Sequence, residues 1–206
     1  MNSAKCTHGF AALLIAALLS GCGTAARVPE DSFYRLDIAA PASQAATPPL
    51  TGALMVQGGA AAPLYRDRAL LYSESAVPAR VQRYHYHYWA DSPPQFVQRG
   101  LADYLRAAGV ATAVLLPQDG ADARYRLRAD IERFEHVRGA GNGRVDVVLR
   151  ATLSARERGV LWQETLQAEA PVAGAEFTAV TAAYERALTD LYARIAERLA
   201  AKVQGH

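Results

Sequence analysis

Four small groups of residues in this chain have side chains suited to chemistry. His85 and His87 stand two apart in the run Tyr84-His85-Tyr86-His87-Tyr88-Trp89. On one face of a strand that spacing could hold a metal ion. Neither His136 nor His206 is placed by the sequence as a third ligand. Asp130, Glu132 and Glu135 could serve acid–base work. Asp130 and Glu132, however, alternate with apolar residues and share their polar face with Arg126 and Arg128, the pattern of a solvated charge ladder. Gly139, Gly141 and Gly143 have the density of a phosphate loop but lack its Gly-Lys-Ser/Thr ending, and Asn142-Gly143 is a hairpin signal. There is no Gly-x-Ser-x-Gly elbow and no His-Glu-x-x-His. None of these three groups has the specificity of a catalytic motif, and no cofactor or metal is expected.

The fourth group is a single residue, Cys22. A polar start carrying Lys5 leads into the apolar run Phe10–Leu19, then Ser20, Gly21 and Cys22. This is the order of a secretory signal. The run is about half of the ~20 apolar residues that a spanning helix needs, so it is expected to be removed. Leu19-Ser20-Gly21-Cys22 has the form of a lipobox, with small residues beside the cut and a thiol to accept a diacylglyceryl group. A further acyl chain such as palmitate can go on the new α-amine. One acyl chain holds a protein at a membrane only marginally, whereas two or more hold it firmly. The expected organisation is a signal peptide over 1–21, a tether over 22–31 and one folded domain over 32–203.

Composition narrows the partners. The formal charge is +2 over 206 residues, and Lys5 and Lys202 are the only lysines. Nucleic-acid binding usually needs a basic patch, and this balance argues against it. Cys6 lies in the signal and Cys22 is committed to lipid, so no disulfide or thiolate metal site remains.

Period-two patterns place strands at Ser32–Ile38, Leu54–Gln57, Ala69–Ser73, Val81–Trp89, Val110–Leu116, from Tyr125 across Ile131 with a slip before Phe134, Val145–Leu153 and Val160–Ala170. In the Val81–Trp89 strand, strict alternation puts Tyr84, Tyr86 and Tyr88 on one face and His85, His87 and Trp89 on the other. Ser92-Pro93-Pro94 starts a helix capped at Gly109. Phe177, Val180, Tyr184, Leu188, Leu191, Ile195 and Leu199 form the stripe of a long closing helix. Glu164 falls on the inward face with Trp162 and fits it badly. The expected class is α+β: an antiparallel sheet with two main helices packed mostly on one face, in a single domain. Tyr84, Tyr86, Tyr88 and Trp89 are the candidate partner interface, because aromatic residues bury large area with little entropy loss.

Taken in order, several segments resemble the ABC-type transport auxiliary lipoproteins, the family that includes the PqiC-type lipoproteins. They are the lipobox, Phe33-Tyr34-Arg35-Leu36, the Leu71-Tyr72 strand, Tyr84 to Trp89, Ala90-Asp91-Ser92-Pro93-Pro94, Leu101-x-x-x-Leu105, the Trp162 strand and the closing helix. The resemblance implies a non-catalytic accessory subunit of an ABC/MCE-type intermembrane lipid transport system. Its partners would be an MCE-domain protein and an ABC permease and ATPase, and its membrane contact the N-terminal lipid. Gly23, where an Asp would retain the protein at the inner membrane, implies the periplasmic face of the outer membrane. Association into a homo-oligomeric ring fits such a docking role. Two other readings remain open on the residues: an outer-membrane assembly or scaffold lipoprotein with a different client, and a hydrolase using His85 or His87.

Overall fold

One long strand joins the two halves of the fold. The structure is a computed structural model that describes residues 29–203, and the chain from Asp31 on makes up one compact unit. Its strands are β1 (Ser32–Tyr34), β2 (Leu50–Gln57), β3 (Ala69–Glu74), β4 (Val77–Trp89), β5 (Ala111–Leu115), β6 (Tyr125–Arg138), β7 (Arg144–Ala155) and β8 (Gly159–Pro171). A one-turn helix α1 (Pro63–Arg66) and two main helices, α2 (Pro93–Ala107) and α3 (Phe177–Val203), complete it. No helix among the described residues is long and apolar enough to cross a membrane.

On one edge β6 pairs antiparallel with β7 along its whole length, and β7 pairs with β8. The other edge is shared. Its first residues, Tyr125–Arg128, pair in parallel with β2, which carries β5. Its last residues, His136–Arg138, pair in parallel with β3, which carries β4 and then β1. The class, two main helices and single domain stand as expected. The sheet is mixed rather than antiparallel, because β2, β3 and β5 enter through crossovers that local alternation does not reveal.

Between its two partners β6 is held by the loop after β2. Ala60 donates its N–H to Asp130 Oδ1 at 2.7 Å and accepts from the Ile131 N–H at 2.8 Å, and Ala61 bridges Ile131. Gly59 lies so close to the Ala129 carbonyl that a Cβ there would fall well inside contact distance. The slip before Phe134 is a bulge between Ile131 and Arg133, and the β6–β7 turn carries Gly141 and Gly143 at positive φ. The glycine run is therefore a hairpin.

Both helices cover one face. α2 buries Val97, Leu101, Ala102, Tyr104 and Leu105. Burying Val97, Leu101 and Leu105 contributes roughly 1.5–3 kcal/mol each. At its start Pro93 takes the first turn, while the Ser92 side chain reaches Gln95 instead of capping. At its end Gly109 adopts φ +65, and the paired bonds Gly109 N–H to Arg106 O and Val110 N–H to Leu105 O close the helix. α3 buries the expected stripe from Val180 to Leu199, widened by Ala183, Ala187 and Tyr192. Tyr192 donates to the Val97 carbonyl at 3.1 Å, tying the helices together.

Glu164 alternates with the inward Trp162 and Leu166 but lies at the half-exposed margin of that face, and it is satisfied there. Arg198 meets it at 3.0 and 3.2 Å, and the Trp162 indole donates at 3.1 Å. The Arg198 guanidinium holds its carboxyl below the usual carboxylate range. Arg186 and Arg194 donate to the Pro171 and Gln167 carbonyls, covering the free edge of β8. The uncovered sheet face carries the ladder Arg128–Asp130, Glu132–Arg150 and Arg144–Glu169.

Candidate functional site

The aromatic run on β4 does not keep strict alternation. Leu71 of β3 pairs with Arg83 and Ala69 with Tyr88, so β4 has extra residues between these points. They form a bulge at Tyr86, which takes φ +63, the left-handed region that a bulky side chain rarely adopts. The bulge brings Tyr84 and His87 to the same side and leaves His85 exposed. The expected faces are thus corrected: Tyr84 parts from Tyr86 and Tyr88, and His85 parts from His87. The two histidines do not converge. Among the described residues no group of three His, Cys, Asp or Glu side chains is arranged to hold a metal.

Tyr84 and His87 meet on the first residue of α3. The His87 ring stacks on Phe177 at 3.5 Å between centroids, and Tyr84 packs edge-on to it at 4.7 Å. Tyr34 from β1 bonds His87 Nδ1 at 2.8 Å, and Tyr84 bonds His136 Nδ1 at 2.9 Å. His136 Nε2 lies 2.8 Å from the Asn142 carbonyl in the hairpin turn. A carbonyl only accepts, so the neutral Nε2–H tautomer serves both bonds, with Nδ1 accepting the Tyr84 O–H. Four elements that are distant in sequence are closed by two imidazoles.

Burial lowers the pKa of both His87 and His136 below the ordinary 6.5. For His136 the nearby Arg138 adds to this, while the Asn142 bond and Glu74 oppose it. A base with a depressed folded pKa is neutral in the fold and takes up its proton on unfolding. Its contribution to stability is present above the unfolded pKa, near 6.5, and is lost as pH falls through the folded value. Glu164, whose carboxyl Arg198 holds low, acts only below its ordinary 4.5. The urea midpoint should therefore fall between pH 7.5 and 5, and His136→Gln should flatten that slope. An equal slope in the variant would remove His136 from the account.

Trp89 is 1% exposed and belongs to the core, against Phe96, Phe134 and Tyr184. Tyr84 is half-buried. Of the four aromatic residues expected at a partner interface, Tyr86 is exposed and Tyr88 is half-exposed. Tyr88 stacks on Phe33 at 5.7 Å, and Arg68 lies over the Phe33 ring at 5.3 Å. Phe33 itself is 57% exposed. Arg68 also donates to the Trp89 carbonyl at 3.0 Å, pinning the end of β4. Cys22 lies outside the described residues.

The carboxylates are engaged in structural bonds. Glu135, 3% exposed, accepts from Tyr65 of α1. Opposite it on β7, Asp146 accepts from Arg133 at 2.8 Å and Gln167 at 2.9 Å. Sequence reading missed Phe177, Tyr65 and Asp146 as partners here. Only a knowledge of which strands adjoin could have found them.

Residues 34–196 match the family model described as "ABC-type transport auxiliary lipoprotein component". An uncharacterized protein of Bradyrhizobium diazoefficiens is 32% identical over 111 residues, covering 54% of this chain and 29% of that protein. The chain thus spans under a third of that relative. The crystal structure of protein XCC0632 from Xanthomonas campestris superposes with a TM-score of 0.71 at 21% identity, over 84% of this chain and 98% of the other. A second crystal structure, of an uncharacterized protein, gives 0.64 at 14% identity, over 83% and 99%. These two likenesses are of fold.

Proposed function

Because this chain belongs to the family of ABC-type transport auxiliary lipoprotein components, we propose that it is a lipid-anchored, non-catalytic subunit that docks or steadies an ABC/MCE-type lipid transport assembly at the periplasmic face of the outer membrane. The observation that carries this reading is the extent of the match. Residues 34–196 run from the last residue of β1 into the closing turns of α3. What the family shares is therefore the whole sheet-and-helix body rather than a pocket within it. The engagement of the polar candidates supports a binding role: His87, His136, Glu135 and Asp146 each spend their hydrogen bonds inside the fold. ATP hydrolysis belongs to other subunits on this reading. Cys22 carries the lipid, and Tyr86 on β4 offers a solvent-facing aromatic ring to a protein partner.

A photocrosslinking residue at Tyr86, in the full chain expressed in its own cells, should trap an MCE-domain protein. Deleting the gene should sensitise the envelope to detergent. Capture of an outer-membrane barrel protein instead would favour a scaffold role with another client. Intact detergent resistance with no MCE adduct would end the transport reading.

A further inference from the structure

The edge formed by β1 and β4 is unlike the rest of the surface. Among the described residues four large hydrophobic side chains are exposed, and three of them, Phe33, Val77 and Tyr86, lie on these two strands. The fourth, Val160, is in the β7–β8 turn region. Val77 pairs with Glu74 at the far end of β4, away from Phe33, which sits opposite Tyr88; the three are not one patch, and Phe33 is the one whose place calls for an explanation. Phe33 is the most open of the three and is not a failed core residue. In its segment Tyr34, Leu36 and Ile38 turn inward to pack on the core, while Phe33 and Arg35 turn out. Its ring stacks on the Tyr88 ring and also lies against the Arg68 guanidinium. Tyr and Arg both pair an apolar body with a polar tip, which suits a boundary between water and hydrocarbon.

Position selects what that edge meets. Cys22 precedes Ser32 by ten residues, so even a fully extended tether spans no more than about 35 Å. β1 is the first element after the tether and holds Phe33. Any bilayer that carries the acyl chains of Cys22 is thereby within reach of this ring, and β1 has no slack of its own, being paired to β4 from Ser32 onward. We infer that the Phe33–Tyr88–Arg68 cluster rests on the headgroup layer of the lipid surface and fixes the orientation of the domain on its anchor. This rests on lipidation at Cys22. It adds a second contact, made by the folded body itself, to a tether that alone would leave the domain free to turn.

The experiment uses the mature lipidated chain in vesicles of phosphatidylethanolamine and phosphatidylglycerol. Its own cysteines do not interfere, since Cys6 leaves with the signal and the Cys22 thiol is capped as the diacylglyceryl thioether. Phe33→Cys and, as control, Val160→Cys each carry an environment-sensitive NBD label. At position 33 the emission should shift to the blue and be quenched by lipids bearing a nitroxide at headgroup depth. At 160 it should stay water-like and be quenched by aqueous iodide. A label at Tyr88→Cys should shift likewise, and lose the shift when Phe33→Asp is added. Phe33→Asp should keep the parent circular dichroism and melting midpoint, because the ring is outside the core.

A vesicle-bound chain whose position 33 reads as watery as 160 would overturn the inference while leaving the anchor intact. Chain that never enters the vesicle fraction would overturn the anchor and the inference with it. A label that is watery on pure lipid but shielded in isolated envelopes would assign the cluster to a protein and overturn the lipid contact.

Discussion

Replacing Cys22 with Ser should leave an unlipidated precursor of unchanged size that no longer fractionates with membranes by its own acyl chains. On the lipobox reading the thiol would be the acceptor of the diacylglyceryl group, and a hydroxyl could not replace it: thiols ionise near pH 8.5, whereas an aliphatic hydroxyl does not ionise in this range. Each buried CH2 of an acyl chain contributes about 0.8 kcal/mol to membrane binding, and stable anchoring takes two signals. Loss of the whole lipid therefore removes the acyl anchor and leaves the uncleaved Phe10–Leu19 segment as the precursor's one apolar hold on a membrane. The check is gel mobility and membrane fractionation of wild type and Cys22→Ser, with and without a globomycin-type inhibitor of lipoprotein processing. An inhibitor that leaves the mature size of the wild type unchanged would refute the lipobox. The folded body should be unaffected, since β1 begins ten residues later.

Gly59→Ala should be the most damaging of the conservative core changes. The added Cβ would collide with the Ala129 carbonyl, which is backbone in the middle of β6 and cannot swing aside as a side chain can. To relieve the clash the 58–61 loop must lift. It would take with it the Ala60 bonds to Asp130 and Ile131 and the Ala61 bridge. Asp130 is almost fully buried, so its carboxylate would lose a charge-assisted partner that water does not easily replace. Two lost hydrogen bonds, at about 1 kcal/mol or more each, and the displaced packing together come to roughly 3 kcal/mol or more. Urea unfolding should show a large fall in midpoint at unchanged slope. Gly120→Ala is the matched control, because a Cβ there meets nothing within 4 Å. Its effect should be confined to the smaller strain of a left-handed backbone. Equal stability of Gly59→Ala and wild type would mean that the loop does not lie against β6.

Elements whose pattern is local could be read from the sequence. The β6–β7 and β7–β8 hairpins are announced by Asn142-Gly143 and Arg158-Gly159, α3 by a stripe of seven apolar positions, and the bulge before Phe134 by its slipped phase. Residues 50–53 of β2 were not legible. Gly52 at φ +135 and the shifted register beside it break the alternation there. The Tyr86 bulge was hidden for the opposite reason. Nothing about a tyrosine between two histidines signals a positive φ, and the conformation is imposed by pairing on both sides with β3 and β1. That one hidden residue turned Tyr84 and His87 together onto Phe177. Trp89 shows a further limit: an aromatic residue at the end of an aromatic strand looks the same in sequence whether it meets a partner or the core. Burial against Phe134 and Tyr184, forty-five and ninety-five positions further on, is what distinguishes them.

The divided edge of β6 also governs the order in which this chain can become a protein. β2 with β5, and β3 with β4, are each two-stranded pieces until Tyr125–Arg138 arrives to join them, and isolated pairs of strands are marginal in water. A chain that crosses a membrane N-terminus first delivers these pieces early and their organiser late. In a chain exported in this way, residues 32–115 would wait with apolar strands uncovered for sequence that is still on the other side. Such a chain is most exposed to aggregation during export, and the factor that would help it most is a holding chaperone acting at the point of emergence.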